Sequence, residues 1–302
     1  MVNKSISIIG PGSLGSALAI ALSQAGYSIQ EVIHRGTISS SRKAKTLAKR
    51  VNANSVSLTE AGLDADIFWL CVPDHSIAKV ARKLAEKKKS WQGTTVFHSS
   101  GALPSDELSP LRKQGATVAS LHPLMTFVPG VDQSFAGVPF AVEGGATAVC
   151  QGRAIVHELK GDVFGIRKSS KAAYHAWAAF TSPLLLSLLM TAEQVAKLAG
   201  IPARQARRRM LPIVLQTIEN YVNHGPAKAL SGPILRGDLA TIDRHLKALK
   251  PASQAHSVYL ALTRAALETL PAPNRQAQRT LLLKPTQPRT KRNKKLEIRN
   301  LE

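Results

Sequence analysis

Gly10-Pro11-Gly12-Ser13-Leu14-Gly15 has GxGxxG spacing. The residues before it, SISII, read as a short buried strand, and those after it as a helix rich in Ala and Leu. Between a strand and a helix, this spacing does phosphate chemistry. Gly10 permits the tight turn, Gly12 lets backbone approach a pyrophosphate, and Gly15 lets helix and strand pack closely. Ser13 and Leu14 open the helix, whose free N–H groups and partial positive charge favour phosphate. A dinucleotide is the expected ligand.

Selectivity between dinucleotides is read about 20 residues on, where an Asp or Glu would bond a ribose 2′-hydroxyl. Here the second strand ends His34-Arg35-Gly36, followed by Thr37, Ser39, Ser40, Ser41, Arg42 and Lys43. The nearest acid, Glu31, falls inside the strand. Arg35 and Arg42, with the serines, can instead hold a 2′-phosphate by charge-assisted bonds, which favours NADP over NAD. The plainer alternative is that Arg42 and Lys43 cover a solvated helix face. Further along, Cys71-Val72-Pro73-Asp74 ends a strand at its carboxyl edge. Val72 and Pro73 are expected to line the nicotinamide side, Asp74 to cap the next helix, and Cys71 to fill core.

Two polar strand ends follow, Phe97-His98-Ser99-Ser100-Gly101-Ala102 and Ser120-Leu121-His122-Pro123. Both should open onto that carboxyl edge, a setting for substrate contact and proton transfer. His122 can give or take the proton that accompanies hydride transfer, with Ser100 beside it; for both histidines a hydrogen-bonded structural role is the competing reading. Lys171, Tyr174 and His175 share one helical face by their i, i+3, i+4 spacing. Lys171 and His175 therefore face either the cleft or solvent. Arg236, between glycines, can grip a substrate carboxylate or a partner subunit, and Asp238 reads as a helix N-cap. The run Arg207-Arg208-Arg209 reads as a solvated helix face.

The elements that must position these groups alternate in the first half. Strands are expected at 5–9, 28–33, 66–72, 94–97, 117–121, 139–142 and 163–166, with helices at 13–25, 42–50 and 77–89. Such alternation implies an α/β domain with a doubly wound parallel sheet. Beyond it, 171–199, 203–223, 238–247 and 253–270 have helical spacing and strand signals vanish. The expected organisation is a dinucleotide-binding domain over 1–166, an all-α domain over 167–283 for substrate and dimer contacts, and a basic, disordered tail over 284–302.

Composition narrows the class. At 44% hydrophobic residues in 302, the chain can bury ordinary cores. Two cysteines without zinc-site spacing exclude a disulfide framework and imply no metal. The first residues do not form a signal peptide. The apolar stretch 176–190 reads as too short and too interrupted to span a bilayer, so a soluble, cytoplasmic protein with no membrane partner is expected. The net charge of +21 is uneven: residues 1–150 hold 15 Lys/Arg against 10 Asp/Glu, and residues 151–302 hold 25 against 9. Positive potential favours anionic partners. A nucleic-acid partner is not expected, because no groove-reading or aromatic module accompanies the charge.

The pieces IIGPGSLGSALA, FWLCVPDHSI, FHSSGALPSDEL, ASLHPLMTF, KAAYHAWAAF and SGPILRGDLATIDRHL carry a resemblance over about residues 5–270. The chain resembles bacterial Rossmann-like proteins with a helical second domain of unknown function. These lie in the wider 6-phosphogluconate dehydrogenase-like group, with pyrroline-5-carboxylate reductase and ketopantoate reductase. The resemblance implies NADP binding and a helical dimerisation domain, hence a homodimer; it supplies no substrate. Ser99, Ser100 and His122 are also similar to the serine and HPM histidine of prephenate dehydrogenases. One departure stands out: where relatives carry Ser-Asn, this chain has Ser182-Pro183, so the amide that the wider group pairs with its helix lysine is missing. The sequence thus reads as an NADP-dependent oxidoreductase moving hydride to or from a small, anionic carbonyl or imine compound in an interdomain cleft. The alternative is a non-catalytic, NADP-binding regulatory protein.

Overall fold

A computed structural model of the chain describes residues 4–270 and 272–283. The first half runs β1 (Ser5–Ile9), α1 (Ser13–Gln24), β2 (Ser28–His34), α2 (Ile38–Arg50), β3 (Asn54–Ser57), β4 (Ile67–Leu70), α3 (Asp74–Lys87) and β5 (Thr95–His98). It continues through α4 (Ser109–Arg112), β6 (Thr117–Pro123), β7 (Pro139–Gly144), α5 (Ala146–Glu158) and β8 (Asp162–Gly165). Helices follow: α6 (Lys171–Thr181), α7 (Pro183–Leu198), α8 (Ala203–His224), α9 (Pro226–Ala229), α10 (Pro233–Arg236), α11 (Leu239–Leu249), α12 (Ser253–Thr269) and α13 (Arg275–Leu283).

The eight strands form one sheet in the order β3-β2-β1-β4-β5-β6-β7-β8. The first six are parallel, with the order reversing between β1 and β4. Ligands of such sheets bind outside the strand carboxyl ends, at that reversal. The last two strands depart from the expected all-parallel sheet: β7 is antiparallel to β6, and β8 runs parallel to β7. Alternate side chains bury on opposite faces. Ile6, Ile8, Trp69, Phe97 and Leu121 meet Leu18, Leu22 and Leu47 on one face. Ile9, Phe68, Leu70, Val96 and Val118 meet Ile77, Leu84 and Trp91 on the other. Burial on both faces is why these strands read as near-continuous apolar runs.

Several local expectations change. Sequence pattern missed β3 because NSVS is a polar edge segment, and missed α5 because ATAVCQGRAIVHE is weakly amphipathic. α2 starts at Ile38, four residues before the expected start, because Thr37 caps it, its hydroxyl accepting from the Ser40 N–H. Pro73, not Asp74, is the cap of α3, and Asp74 is its first residue. Asp238 caps α11 as expected, accepting from the Thr241 N–H at 3.0 Å. The helix expected over 171–199 is broken: α6 ends at Thr181 and Pro183 opens α7, since proline lacks the N–H to continue a helix.

The chain divides into two compact units, Met1–Pro183 and Leu184–Glu302. This differs from the boundary read at 166/167 because α6 goes with the sheet: Lys171 and Tyr174 are buried there. In the second unit Ile242, Leu267 and Leu282 form a small core. Many larger apolar side chains of α7 and α8 stay exposed, among them Leu186, Ile213 and Val222. The run Lys168–Leu198, 31 residues, is long and apolar enough by length and composition to cross a membrane, where a stretch of 176–190 was read as too short. The basic stretch 284–302, expected as a disordered tail, lies outside the described residues.

Gly15 tests the tightest contact in the sheet unit. A β-carbon there would stand 2.1 Å from the Gly10 carbonyl oxygen, which is backbone and cannot swing away. Gly15→Ala is expected to lower the unfolding free energy by about 2–3 kcal/mol, read by urea denaturation. An unchanged midpoint would mean that α1 is free to back off from β1.

Candidate functional site

The glycine loop has the geometry its spacing demands. Gly10 has φ +104°, and a β-carbon on it would meet the Cys71 carbonyl oxygen at 2.6 Å. A β-carbon on Gly12 would meet nothing within 4 Å, so the loop is open on its outer side. Gly12 caps α1 without a side-chain hydrogen bond. The first-turn N–H groups therefore face outward with no side-chain acceptor supplied locally. Beside the loop lies a cavity of about 340 Å³, lined by Gly10, Gly12, Arg35, Val72 and Pro73. Ser39, Ser40 and Lys43 line it too, and no acidic residue does. Arg42 and Ser13 line a neighbouring groove instead, with Gly12 and Lys43. Leu14 packs against the core, and Gly15 is buried. A larger open hollow of about 1080 Å³ lies at the sheet's opposite edge, by Lys4, Tyr27 and Glu158, away from the strand carboxyl ends.

Glu31, the acid nearest the end of β2, is turned away: its Oε1 accepts from the Gly62 N–H at 2.9 Å. Arg35 Nε approaches the Thr37 hydroxyl at 3.4 Å and is otherwise exposed. The Cys71 thiol is pushed up by burial, which keeps it protonated and unreactive.

The second cluster joins the ends of β4, β5 and β6 to α6. Ser100, His122, Lys171 and His175, four residues singled out from the sequence, meet here. Ser100 differs in what it offers. Its hydroxyl donates to Asp74 Oδ2 at 2.9 Å and accepts the N–H groups of Ala102 and Leu103 at 3.2 and 2.9 Å. One donor and two lone pairs are thereby filled, so its contribution to the cluster is its carbonyl. That carbonyl accepts from Lys171 Nζ at 2.7 Å and from the Ser120 hydroxyl at 3.2 Å.

Lys171 does not face solvent. It is 1% exposed; its ammonium also donates to the Ser120 hydroxyl and lies 4.0 Å from Glu143 Oε1. Burial draws the Lys171 pKa down to about 8, against the pull of Glu143 and Asp74. Glu143, on β7, is itself buried and accepts from Ser105, at 2.6 Å from its N–H and 2.8 Å from its hydroxyl. Sequence reasoning missed Glu143 and Ser105, read Asp74 only as a helix cap, and named Ser120 only as part of a polar strand end. A lone acid inside the apolar strand PFAVEG was the available signal for Glu143.

His98 is a structural histidine. It is fully buried, its Nδ1 accepts from the Ser100 N–H at 3.1 Å, and its Nε2–H donates to the Pro104 carbonyl at 3.1 Å. Burial holds it neutral, its pKa drawn down to about 3. His122 is half-buried, with Nδ1 2.7 Å from the Tyr174 hydroxyl and its ring edge-on to those of Tyr174 and His175. Burial, then the charges of Lys171 and His175, bring its pKa down to about 4. Gly101 runs between the two imidazoles: a β-carbon there would meet His175 Cδ2 at 2.6 Å and His122 Nε2 at 2.9 Å. Arg236, in the second unit, is exposed at the end of α10.

The two clusters are linked through protein. Val72 and Pro73 line the cavity, the next residue, Asp74, accepts from Ser100, and Ser100 holds Lys171. Lys171 also couples the cluster to pH. Unfolded, it keeps its proton to about 10.5; folded, it releases it near 8. Between those values the unfolded chain binds more protons, so stability rises with pH across that window, by on the order of 3 kcal/mol for the full shift. Urea unfolding of the wild type and Lys171→Met through the window should show the wild type gaining on the variant as pH rises. Parallel curves would mean that the amine titrates like a solvated lysine.

Comparison with known proteins gives the following. Residues 2–123 match the model of a Rossmann-like domain, and residues 138–266 match a domain of unknown function, DUF2520. A structure of a candidate NADP oxidoreductase from Bacteroides fragilis superposes with TM-score 0.73 at 24% identity, covering 87% of this chain and 97% of that one. A reductive aminase from Aspergillus terreus, in complex with NADPH and ethyl-5-oxohexanoate, gives 0.64 at 16%, covering 88% and 94%. At such identities the likeness is one of fold. The ketol-acid reductoisomerase (NADP(+)) of Kocuria rhizophila is 28% identical over 99 residues, 33% of this chain and 27% of that enzyme. The kynurenine 3-monooxygenase of Dictyostelium discoideum is 35% identical over 74 residues, 24% of this chain and 16% of that enzyme. The chain thus spans about a quarter or less of the length of these curated relatives. Within it the Rossmann-like part supplies Gly10 to His122, and the DUF2520 part supplies Glu143, Lys171, Tyr174 and His175. Along the chain a Rossmann-like match is thus followed by a DUF2520 match.

Proposed function

We propose that the protein is an NADP-dependent oxidoreductase that moves hydride between nicotinamide and a small, anionic carbonyl or imine compound. The observation that carries this reading is the cavity beside the glycine loop. It offers open backbone at Gly12, an uncapped helix start, Arg35 and Lys43, and no carboxylate. Those are the groups a pyrophosphate and a 2′-phosphate require, so NADP fits the residues present. NADPH, when bound, supplies the hydride. The chain's part is to hold the dinucleotide at Gly10, Gly12, Ser13, Arg35 and Lys43, and to bring the substrate's polar group to His122 and His175. Ser100 and Lys171 act on the frame around them. At neutral pH His122 is uncharged, so it serves as a hydrogen-bond partner of the reacting oxygen or nitrogen rather than as a standing imidazolium.

NADPH should bind at least tenfold tighter than NADH, about 1.4 kcal/mol, in fluorescence titrations, and Arg35→Asp should reduce the preference. Equal affinities would remove the 2′-phosphate reading. A screen with 4-deuterated NADPH against small carbonyl and imine compounds then separates an enzyme from a binding protein, by whether deuterium moves.

The same reading includes a homodimer. Leu186, Ile213 and Val222 are 58%, 65% and 72% exposed, and an apolar surface of this kind on α7 and α8 calls for a covering partner. A second copy of the chain meets that need. Light scattering at micromolar concentration, without detergent, should give twice the chain mass. A clean monomer overturns the dimer.

A further inference from the structure

Tyr174 has no role in the reading above, yet among the described residues its hydroxyl is the side-chain group hydrogen-bonded to the His122 ring. Its hydroxyl is 2.7 Å from His122 Nδ1. The ring is buried, edge-on to His122, and flanked by Phe164 and Trp177. Burial raises its pKa to about 12, so the phenol keeps its proton. A buried phenol O–H needs an acceptor, and an imidazole nitrogen is a better one than a phenol oxygen. The bond therefore runs from Tyr174 O–H to a bare Nδ1.

A neutral imidazole carries one proton. With Nδ1 occupied as acceptor, the proton must sit on Nε2. That atom lies beside Gly101, where the absence of a β-carbon leaves room between His122 and His175. His175, edge-on to His122 beside Gly101, is exposed.

We propose that Tyr174 is a positioning residue that fixes His122 in its Nε2–H tautomer, so that the site presents a neutral N–H donor to a carbonyl oxygen. The inference rests on the oxidoreductase reading for its consequence and on the His122–Tyr174 geometry for its substance. It also narrows the substrate class. A carbonyl oxygen accepts from Nε2–H. A neutral imine nitrogen would also accept, but the protonated iminium, the form in which imines readily take up hydride, has no lone pair to do so, and its charge would be opposed by the Lys171 ammonium, whose charge already acts on His122. Carbonyl reduction, or oxidation of the matching alcohol, is the favoured chemistry: NADPH would supply the hydride and leave as NADP, Nε2–H would hydrogen-bond the developing alkoxide, and water would supply the proton that completes the alcohol. Imidazole used this way polarises an oxygen without first becoming charged.

The test is nitrogen-15 NMR of histidine-labelled protein near neutral pH, with His122→Gln assigning the signal by its loss. The expected result is His122 with its proton on Nε2 in the wild type. Tyr174→Phe, which keeps the ring and removes the hydroxyl, should shift it towards a mixture of tautomers. A wild-type proton on Nδ1, or a tautomer unmoved by Tyr174→Phe, overturns the proposal. If a carbonyl substrate is found, Tyr174→Phe should lower kcat at least about tenfold, as loss of a tautomer-setting partner does, with the KM for NADPH unchanged. A panel in which imines are turned over and carbonyls are not would also overturn it. Absence of NADPH binding with the tautomer as expected would instead sink the oxidoreductase reading and leave the His122–Tyr174 pairing intact.

Discussion

A buried ammonium organises the site. Lys171 sits among groups that must satisfy it, and a buried charge is tolerable only when it is paired and hydrogen-bonded. The Ser100 carbonyl and the Ser120 hydroxyl accept from it, and Glu143 balances it from 4.0 Å. These come from the loop after β5, from β6 and from β7. One side chain of α6 thus holds three consecutive elements of the sheet edge in register with the helix. Misplacing any of them would leave charge in the interior without a partner, a larger penalty than any one of the contacts returns. Ser100 and Ser120 are therefore ordered by the lysine as much as they order it.

The reversal of β7 is what makes the arrangement possible. In the antiparallel pairing with β6, Glu143 lies directly opposite Ser120, and Ala141 opposite His122. A one-residue slip would send Glu143 to the other face of the sheet. Gly144 secures the register: it has φ +144°, and a β-carbon there would come 2.5 Å from Ala119 Cα. A strand with a side chain at 144 could not approach β6 as closely, and the carboxylate would move away from Lys171. The same pairing leaves room for Tyr174 to reach His122 from α6, since small Ala141 is its cross-strand neighbour.

Much of this was legible in the sequence, for a physical reason. Doubly buried strands leave apolar runs, and a phosphate loop leaves glycines at fixed offsets, so the sheet and the Gly10–Gly15 loop could be read directly. The i, i+3, i+4 spacing placed Lys171, Tyr174 and His175 on one face. It could not say that Lys171 would be enclosed and His175 exposed, because that depends on what α6 packs against. Glu143 and Asp74 were illegible for a related reason: a lone carboxylate acquires meaning from partners that are distant in sequence, 38 residues away at Ser105 and 26 at Ser100. The direction of β7 was likewise unreadable, since a buried apolar strand looks the same run either way. The break at Ser182–Pro183 was visible as a missing amide but not as a boundary, because the helical pattern resumes at once.

The dinucleotide end follows the same logic in reverse, with a charge excluded rather than enclosed. Glu31 belongs to β2, the strand whose end borders the cavity, three positions before His34. Its Oε1 is held by the Gly62 N–H, in the segment that follows β3. The carboxylate is thus taken up by a neighbouring connection before it can reach the strand's carboxyl edge. What remains at that edge is cationic: Arg35, with Lys43 from α2. On the proposed reading, a phosphate on the ribose adds negative charge beside these two cations, which a bare hydroxyl does not. On the same reading, the preference for NADP follows from where one glutamate is anchored, at the segment after β3, two strands away from β1 and the glycines that carry the recognisable motif.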